Sequence, residues 1–133
     1  MATTTGTFQI LSSGEDDLDD LAGEVRISHA SGRQRFSGGI DADGSIDWFM
    51  VYRADKTASF VGMQRIDGTL DGRRGACAIA AVGEHDGSSS RVTWTVVAGS
   101  GTGALHGIRG HGALEAPAGA AGTYELSYEL DEA

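Results

Sequence analysis

Short runs in which apolar and polar residues alternate recur along the whole chain, and glycine-rich turns separate them. A period of two residues is typical of a β-strand with one buried face. Residues 91–97 and 124–130 show the alternation most clearly. About eight or nine such runs, roughly 12 to 15 residues apart, predict an all-β fold. Because closure removes exposed sheet edges, we expect a closed antiparallel β-barrel of about eight strands.

Length and composition agree with one small domain over residues 1–133. A chain of 133 residues is long enough for one real hydrophobic core. It contains 21 glycines and one proline, Pro117, which indicates many sharp turns and no proline-rich linker. Cys77 is the only cysteine, so an intramolecular disulfide and a cysteine-based metal site are both excluded.

The net charge of the chain limits the classes of partner that it can bind. A formal net charge of −9 argues against nucleic acid, whose phosphates require clustered Lys and Arg, and against anionic membrane surfaces. The N-terminal residues are polar, with no basic segment followed by an apolar run, and no stretch of about 20 apolar residues occurs. We therefore expect a cytoplasmic protein that binds neither nucleic acid nor membrane.

The glycine-rich stretch at residues 97–112 has two interpretations. Glycine loops bind phosphate when a helix comes directly after them, but Gly107, Gly110 and Gly112 would break such a helix, and no Gly-Lys-Ser/Thr is present. The other interpretation is a tight corner between strands, where glycine supplies positive φ and allows close backbone approach. The second interpretation is favoured.

Local patterns also predict the connections. Residues 15–20 read as an acidic loop, residues 31–32 as a turn, and residues 41–44 as a hairpin turn. Residues 46–52 are largely apolar on both faces, so both faces should be covered. We expect one face to meet the core and the other to meet a neighbouring subunit, although a helix or loop could cover it instead.

Three ordered motifs carry a resemblance over nearly the whole chain. FSGG at 36–39, FVGMQRIDGTLDGRRG at 60–75 and GSGTGALHGIRG at 99–110, with YELSYEL at 124–130, resemble a bacterial family of uncharacterised small barrels related to allene oxide cyclase. The resemblance implies an allene oxide cyclase-like barrel, commonly a homo-oligomer such as a dimer or trimer. Related barrels include cyclases that use no metal and no organic cofactor and fold a reactive, apolar substrate into one conformer.

Two departures from the family pattern bear on the barrel interior. Ala98 replaces a proline, and Cys77 and Ala81 replace a bulky aromatic residue and a histidine. With Ile79, these two positions share one strand face, so they enlarge the lumen if that face points inward. Either a ligand occupies the space or neighbouring side chains repack into it.

Candidate nucleophiles and metal ligands are few. Ser100 lacks the spacing of a nucleophile elbow, and His106 and His111 have no third ligand placed by spacing. Cys77 has only alanines beside it, which favours a small buried filler over a nucleophile. We therefore expect His106 and His111 to be surface or structural histidines, and Ser100 not to be a nucleophile.

An aromatic and sulfur-containing wall with few polar groups is the usual composition of a small-molecule pocket. Gln64, Tyr52 and Tyr124 are the candidate catalytic residues, because each can hydrogen-bond a carbonyl, an epoxide oxygen or developing negative charge. The predicted substrate-pocket residues are Trp48, Met50, Phe60, Cys77, Ile79, Ala81, Trp94 and Tyr128. The equally open alternative for these residues is an ordinary barrel core.

Three functions remain open from the sequence. The first is a cofactor-free cyclase or isomerase that pre-folds an apolar, polyketide- or fatty-acid-like molecule in the lumen. The second is a non-catalytic small-molecule carrier, and the third is a structural oligomeric barrel without ligand. The substrate itself cannot be read from the residues.

Overall fold

The computed structural model describes residues 1–21, 25–117 and 122–130, and the regular structure in them is entirely β. The strands are β1 (Ala2–Leu21), β2 (Val25–Gly38), β3 (Ile40–Tyr52), β4 (Ala58–Leu70), β5 (Arg73–His85), β6 (Ser89–Val96), β7 (Thr102–Gly103), β8 (Arg109–Pro117) and β9 (Gly122–Glu129). The described part of the chain contains no helix with the length and hydrophobicity that a membrane crossing requires.

Eight of these strands form a closed antiparallel barrel, which confirms the predicted fold class. Neighbouring strands pair in the order β4-β3-β2-β1-β9-β8-β6-β5, and β4 pairs with β5 to close the sheet. The two-residue strand β7 only adds to β5, through Gly75–Gly103 and Ala76–Thr102. Every pairing between the described strands is antiparallel, so short connections suffice between strands such as β3 and β4 or β5 and β6.

Alternate residues of most strands point inward and fill most of the barrel, whereas residues 9–18 of β1 are all exposed. Phe36, Trp94 and Tyr124 form a ring cluster with centroids 5.8 to 6.0 Å apart. Several inward rings lie directly over inward glycines: Phe8 lies opposite Gly122, and the same arrangement repeats on other strands. A Cβ at Gly122 would lie 2.3 Å from Phe8 Cζ, so the ring occupies the space that a side chain there would need.

The glycine-rich stretch closes one end of the barrel. Leu105 and Ile108 within it are buried, while Gly99, Gly103 and Gly107 have positive φ. Backbone bonds tie the stretch to itself and to β5, as in the Ala104 N–H donation to Arg74 O at 2.8 Å. The predicted strand corner is confirmed.

Three predicted connections are wrong, because the strands run longer than the sequence suggested. Residues 15–20 belong to β1, residues 31–32 to β2 and residues 41–44 to β3. In β3 the alternation of buried and exposed residues continues through Ala42 and Gly44, so the Asp43-Gly44 pair is part of the strand and forms no turn. The chain instead reverses beside Gly38, which has a φ of +106°. On the outer face beside this reversal, the guanidinium of Arg35 in β2 pairs with the carboxylates of Asp41 and Asp43 in β3.

The outer face of β3, β4 and β5 carries an exposed apolar row. Phe49 lies opposite Val61, and Val61 lies opposite Val82. Val61 is 54% exposed, and Met63 and Val51 extend the row. The second face of residues 46–52 is therefore uncovered in the single chain, and its burial by a neighbouring subunit stays a prediction.

Candidate functional site

A partly enclosed cavity of about 120 Å3 lies in the lumen at the end opposite the glycine corner. Its walls are mostly aliphatic and aromatic side chains. The lining residues are Phe8, Ile10, Gln34, Trp48, Gln64, Ser90, Val92, Leu114 and Ala116. A larger groove of about 570 Å3 beside Arg73, Ala104 and Glu129 is more open to solvent.

A buried hydrogen-bond relay leads from the core to this cavity. Trp94 Nε1 donates to Gln64 Oε1 at 2.5 Å, and Gln64 Nε2 donates to Gln34 Oε1 at 2.7 Å. Gln64 is 1% and Gln34 is 2% exposed. The relay therefore satisfies both polar atoms of Gln64 inside the protein.

The amide nitrogen at the end of the relay has no partner. Among the described residues, no hydrogen bond is made by Gln34 Nε2. Nor is any fully buried side-chain nitrogen or oxygen of those residues left unbonded, so this atom must be reached by solvent. Since Gln34 is almost wholly buried and lines the cavity, Nε2 faces the cavity.

Besides the two glutamine amides, the lining residues carry the indole N–H of Trp48 and a hydroxyl at the rim. Ser90 Oγ lies 2.9 Å from His85 Nδ1, across the end of the β5–β6 hairpin. Neither Asp, Glu, Lys, Arg nor His is among the lining residues. The cavity is thus apolar and uncharged, with one free amide donor.

Of the predicted site residues, two line this cavity and two lie directly behind it. Gln64 and Trp48 belong to the lining. Trp94 donates to Gln64 from the core, and Phe60 packs edge-on against Trp48 with ring centroids 4.7 Å apart. The relay thus connects parts of strands β2, β4 and β6 that are far apart in sequence.

The three tyrosines lie away from the cavity and have protein partners. Tyr124 OH accepts from Ile40 N–H and donates to Ser37 O, both at 2.8 Å. Tyr52 OH lies 3.4 Å from Met50 Sδ, and burial together with the Glu15 carboxylate raises the pKa of Tyr52 to about 12.

Tyr128 lies in the half of the barrel nearer the glycine corner. Its hydroxyl donates to Asp71 Oδ2, and Thr4 donates to the other oxygen of the same carboxylate at 3.0 Å. Burial, reinforced by this carboxylate, raises the pKa of Tyr128 to about 12. The structure does not bring Tyr52, Gln64 and Tyr124 into one site.

Cys77, Ile79 and Ala81 do point inward, as their spacing allowed, and all three are buried. The lumen beside them is filled: Ala81 lies opposite the buried Trp94. None of the three lines the cavity. Burial raises the pKa of the Cys77 thiol to about 11, which keeps it protonated and unreactive at neutral pH.

Sequence reasoning missed Gln34. The signal was present, because Gln34 shares the inward period of Phe36 in β2. With a turn predicted at residues 31–32, the next predicted strand begins at Arg35. Gln34 therefore lies outside every predicted strand, and no facing is assigned to it. His106 and His111 are both exposed.

Comparisons with known proteins agree with the fold. Residues 4–128 match the family described as "Protein of unknown function (DUF3224)". A solved protein of unknown function from the same family, from Shewanella oneidensis, superposes with a TM-score of 0.86 at 26% identity, covering 100% of this chain and 99% of that one. No curated protein matches. The chain belongs to the DUF3224 family, and the relation to allene oxide cyclase stays a prediction.

Proposed function

We propose that this DUF3224 protein binds one small, neutral, mainly apolar molecule at the open end of its barrel. The observation that carries the proposal is the partly enclosed cavity, into which a residue only 2% exposed, Gln34, turns an amide nitrogen without a protein partner. Solvent can reach this atom in the empty cavity, but a ligand that excludes water and leaves it unpaired loses about 1–3 kcal/mol. A ligand that accepts a hydrogen bond from Gln34 Nε2 avoids this cost.

Size and charge limit the ligand. A cavity of about 150 Å3 lined by apolar side chains binds benzene, so about 120 Å3 suits one ring-sized molecule. A polyketide- or fatty-acid-like chain fits only with its end, and the rest extends out through the open end of the barrel. A charged group has no countercharge among the lining residues, which favours a neutral ligand.

A cofactor-free cyclase or isomerase is the second candidate, and the same amide favours it. An N–H donor in apolar surroundings polarises a carbonyl or epoxide oxygen more strongly than one in water does. Proton transfer, however, needs an acid or base within reach of the substrate. Because the lining contains no Asp, Glu, His, Lys, Tyr or Cys, binding is placed ahead of catalysis. A structural barrel without ligand is the third candidate.

The binding proposal is tested with two ring-sized probes, cyclohexanone and methylenecyclohexane, titrated against the purified protein. Trp48 lines the cavity, so its fluorescence should respond. In an Ala116→Phe variant the new ring fills the cavity and binding should be lost. Ala113→Phe, on the exposed face of the same strand, is the matched control and should bind normally. If neither probe binds the unaltered protein, the proposed function is wrong.

Catalysis is separated from binding with cyclohexene oxide, a ring-sized epoxide. A carrier returns it unchanged, whereas an isomerase yields a ketone of the same mass. Gas chromatography after incubation with the protein, with the Ala116→Phe variant as blank, distinguishes the two.

A further inference from the structure

The hydrogen-bond relay has a fixed direction, and the residue that fixes it is Trp94. An indole nitrogen can only donate, so Gln64 must turn its carbonyl oxygen toward Trp94. The amide nitrogen of Gln64 then points at Gln34, which must receive it with its own carbonyl oxygen. Gln34 therefore turns its NH2, a donor without a protein partner, toward the cavity.

We propose that the cavity selects molecules carrying a hydrogen-bond acceptor, namely ketones, aldehydes, esters, ethers and epoxides. This inference rests on the proposed function and names the ligand class of that site. Reversing the Gln34 amide would place its nitrogen against the nitrogen of Gln64, two donors 2.7 Å apart. The buried Trp94 therefore sets the chemistry of a cavity whose lining does not include it.

A hydroxyl ligand needs a second partner in this cavity, which a carbonyl ligand does not. A hydroxyl oxygen accepts from Gln34 but brings a hydrogen that needs an acceptor of its own. Ser90 Oγ, which lies 2.9 Å from His85 Nδ1, keeps acceptor capacity and is the side-chain atom of the rim that can supply it. The remaining lining side chains, apart from the engaged Gln64 amide, are apolar or, as in Trp48, carry only a donor.

The test compares cyclohexanone with methylenecyclohexane, which replaces the oxygen by a CH2 group in nearly the same shape. One neutral hydrogen bond corresponds to about a threefold to tenfold preference. We expect the ketone to bind tighter by that factor, and the side-chain amide signals of Gln34 in nitrogen-15 spectra to shift with the ketone alone. Equal affinities, with no amide shift, overturn the selectivity while leaving the proposed function intact. If neither probe binds, both fail.

Variants locate the effect. In Gln34→Leu the preference for the ketone should disappear, whereas Ser90→Ala, the control at the other polar group, should keep it. In Trp94→Phe nothing orients Gln64, and the preference should fall although residue 34 is unchanged. A preference that survives in Gln34→Leu overturns the assignment. If that variant does not fold, the unaltered protein's affinity ratio and the Gln34 amide shift decide the question.

Discussion

Replacing Gln64 by leucine should destabilise the fold by about 1–4 kcal/mol. The change removes the acceptor of Trp94 Nε1, 2.5 Å away, and the donor to Gln34 Oε1, 2.7 Å away. Each buried group left without a partner costs about 1–3 kcal/mol. Greater apolar burial by the leucine recovers part of the total, about 1–2 kcal/mol. A loss of this size is a large fraction of the stability of a typical domain, about 5–15 kcal/mol.

A double-mutant cycle with Gln34→Leu separates the relay from general damage to the core. The single Gln34 variant leaves Gln64 Nε2 without an acceptor, whereas the double variant leaves only the Trp94 N–H unpaired. The two single variants together leave three unpaired groups and the double variant leaves one, so the double variant should be less destabilised than the sum of the singles by about 2–6 kcal/mol. Arg65→Leu, on the exposed face of the same strand, should change stability by no more than about 0.5 kcal/mol.

Urea unfolding followed by tryptophan fluorescence and circular dichroism measures these differences in the free energy of unfolding. The m-value, the slope of that free energy against urea concentration, should be the same for all variants. Additivity of the two single variants within about 0.5 kcal/mol would show that the two glutamines do not act together. A Gln64→Leu variant as stable as the unaltered protein would refute the relay outright.

Three further predictions concern other parts of the molecule. The protein should sediment as a dimer or trimer and Val61→Asp as a monomer with unchanged circular dichroism; a monomeric unaltered protein contradicts the predicted interface. Gly83→Ala places a Cβ 2.3 Å from Phe60 Cε2 and should cost about 1–3 kcal/mol in urea unfolding, whereas Gly14→Ala, with open space around it, should cost almost nothing. Burial raises the pKa of Cys77 from 9.0 to about 11, so the folded state holds this proton more tightly. Its contribution to stability should be complete below pH 9 and decline as the pH rises toward 11, with a smaller decline in Cys77→Ala.

The fold class followed from the sequence because alternation survives in strands such as β3, β6 and β9. The alanine-rich residues 76–82 form part of strand β5, and the alternation of residues 124–130 appears in β9 as alternately buried and exposed side chains. The turns were harder to predict. Asp-Gly pairs favour turns locally, but in this barrel the pairing of β3 with both neighbours keeps Asp43-Gly44 extended. Tertiary pairing overrode local preference.

The candidate site was only half accessible from the sequence. Facing could be read from alternation, which placed Trp48, Gln64 and Trp94 on the inward set. The position of each side chain along the barrel axis could not be read from the sequence, because it depends on how far each strand is staggered against the next. Tyr124 shares the inward facing of Gln64 but bonds the Ser37 and Ile40 backbone instead. The partnership of two glutamines 30 residues apart likewise required the register.

The rings that lie over glycines make lumen size a property of pairs of residues. Phe8 forms part of the cavity wall and occupies the space above Gly122 on the neighbouring strand. Shrinking Phe8 alone opens a void, and enlarging Gly122 alone creates a clash, but the two changes together exchange volume between adjacent strands. A cavity bounded in this way can be reshaped in two substitutions while the strand register and the Trp94 relay stay as they are. Ligand size and ligand polarity are thus adjustable separately.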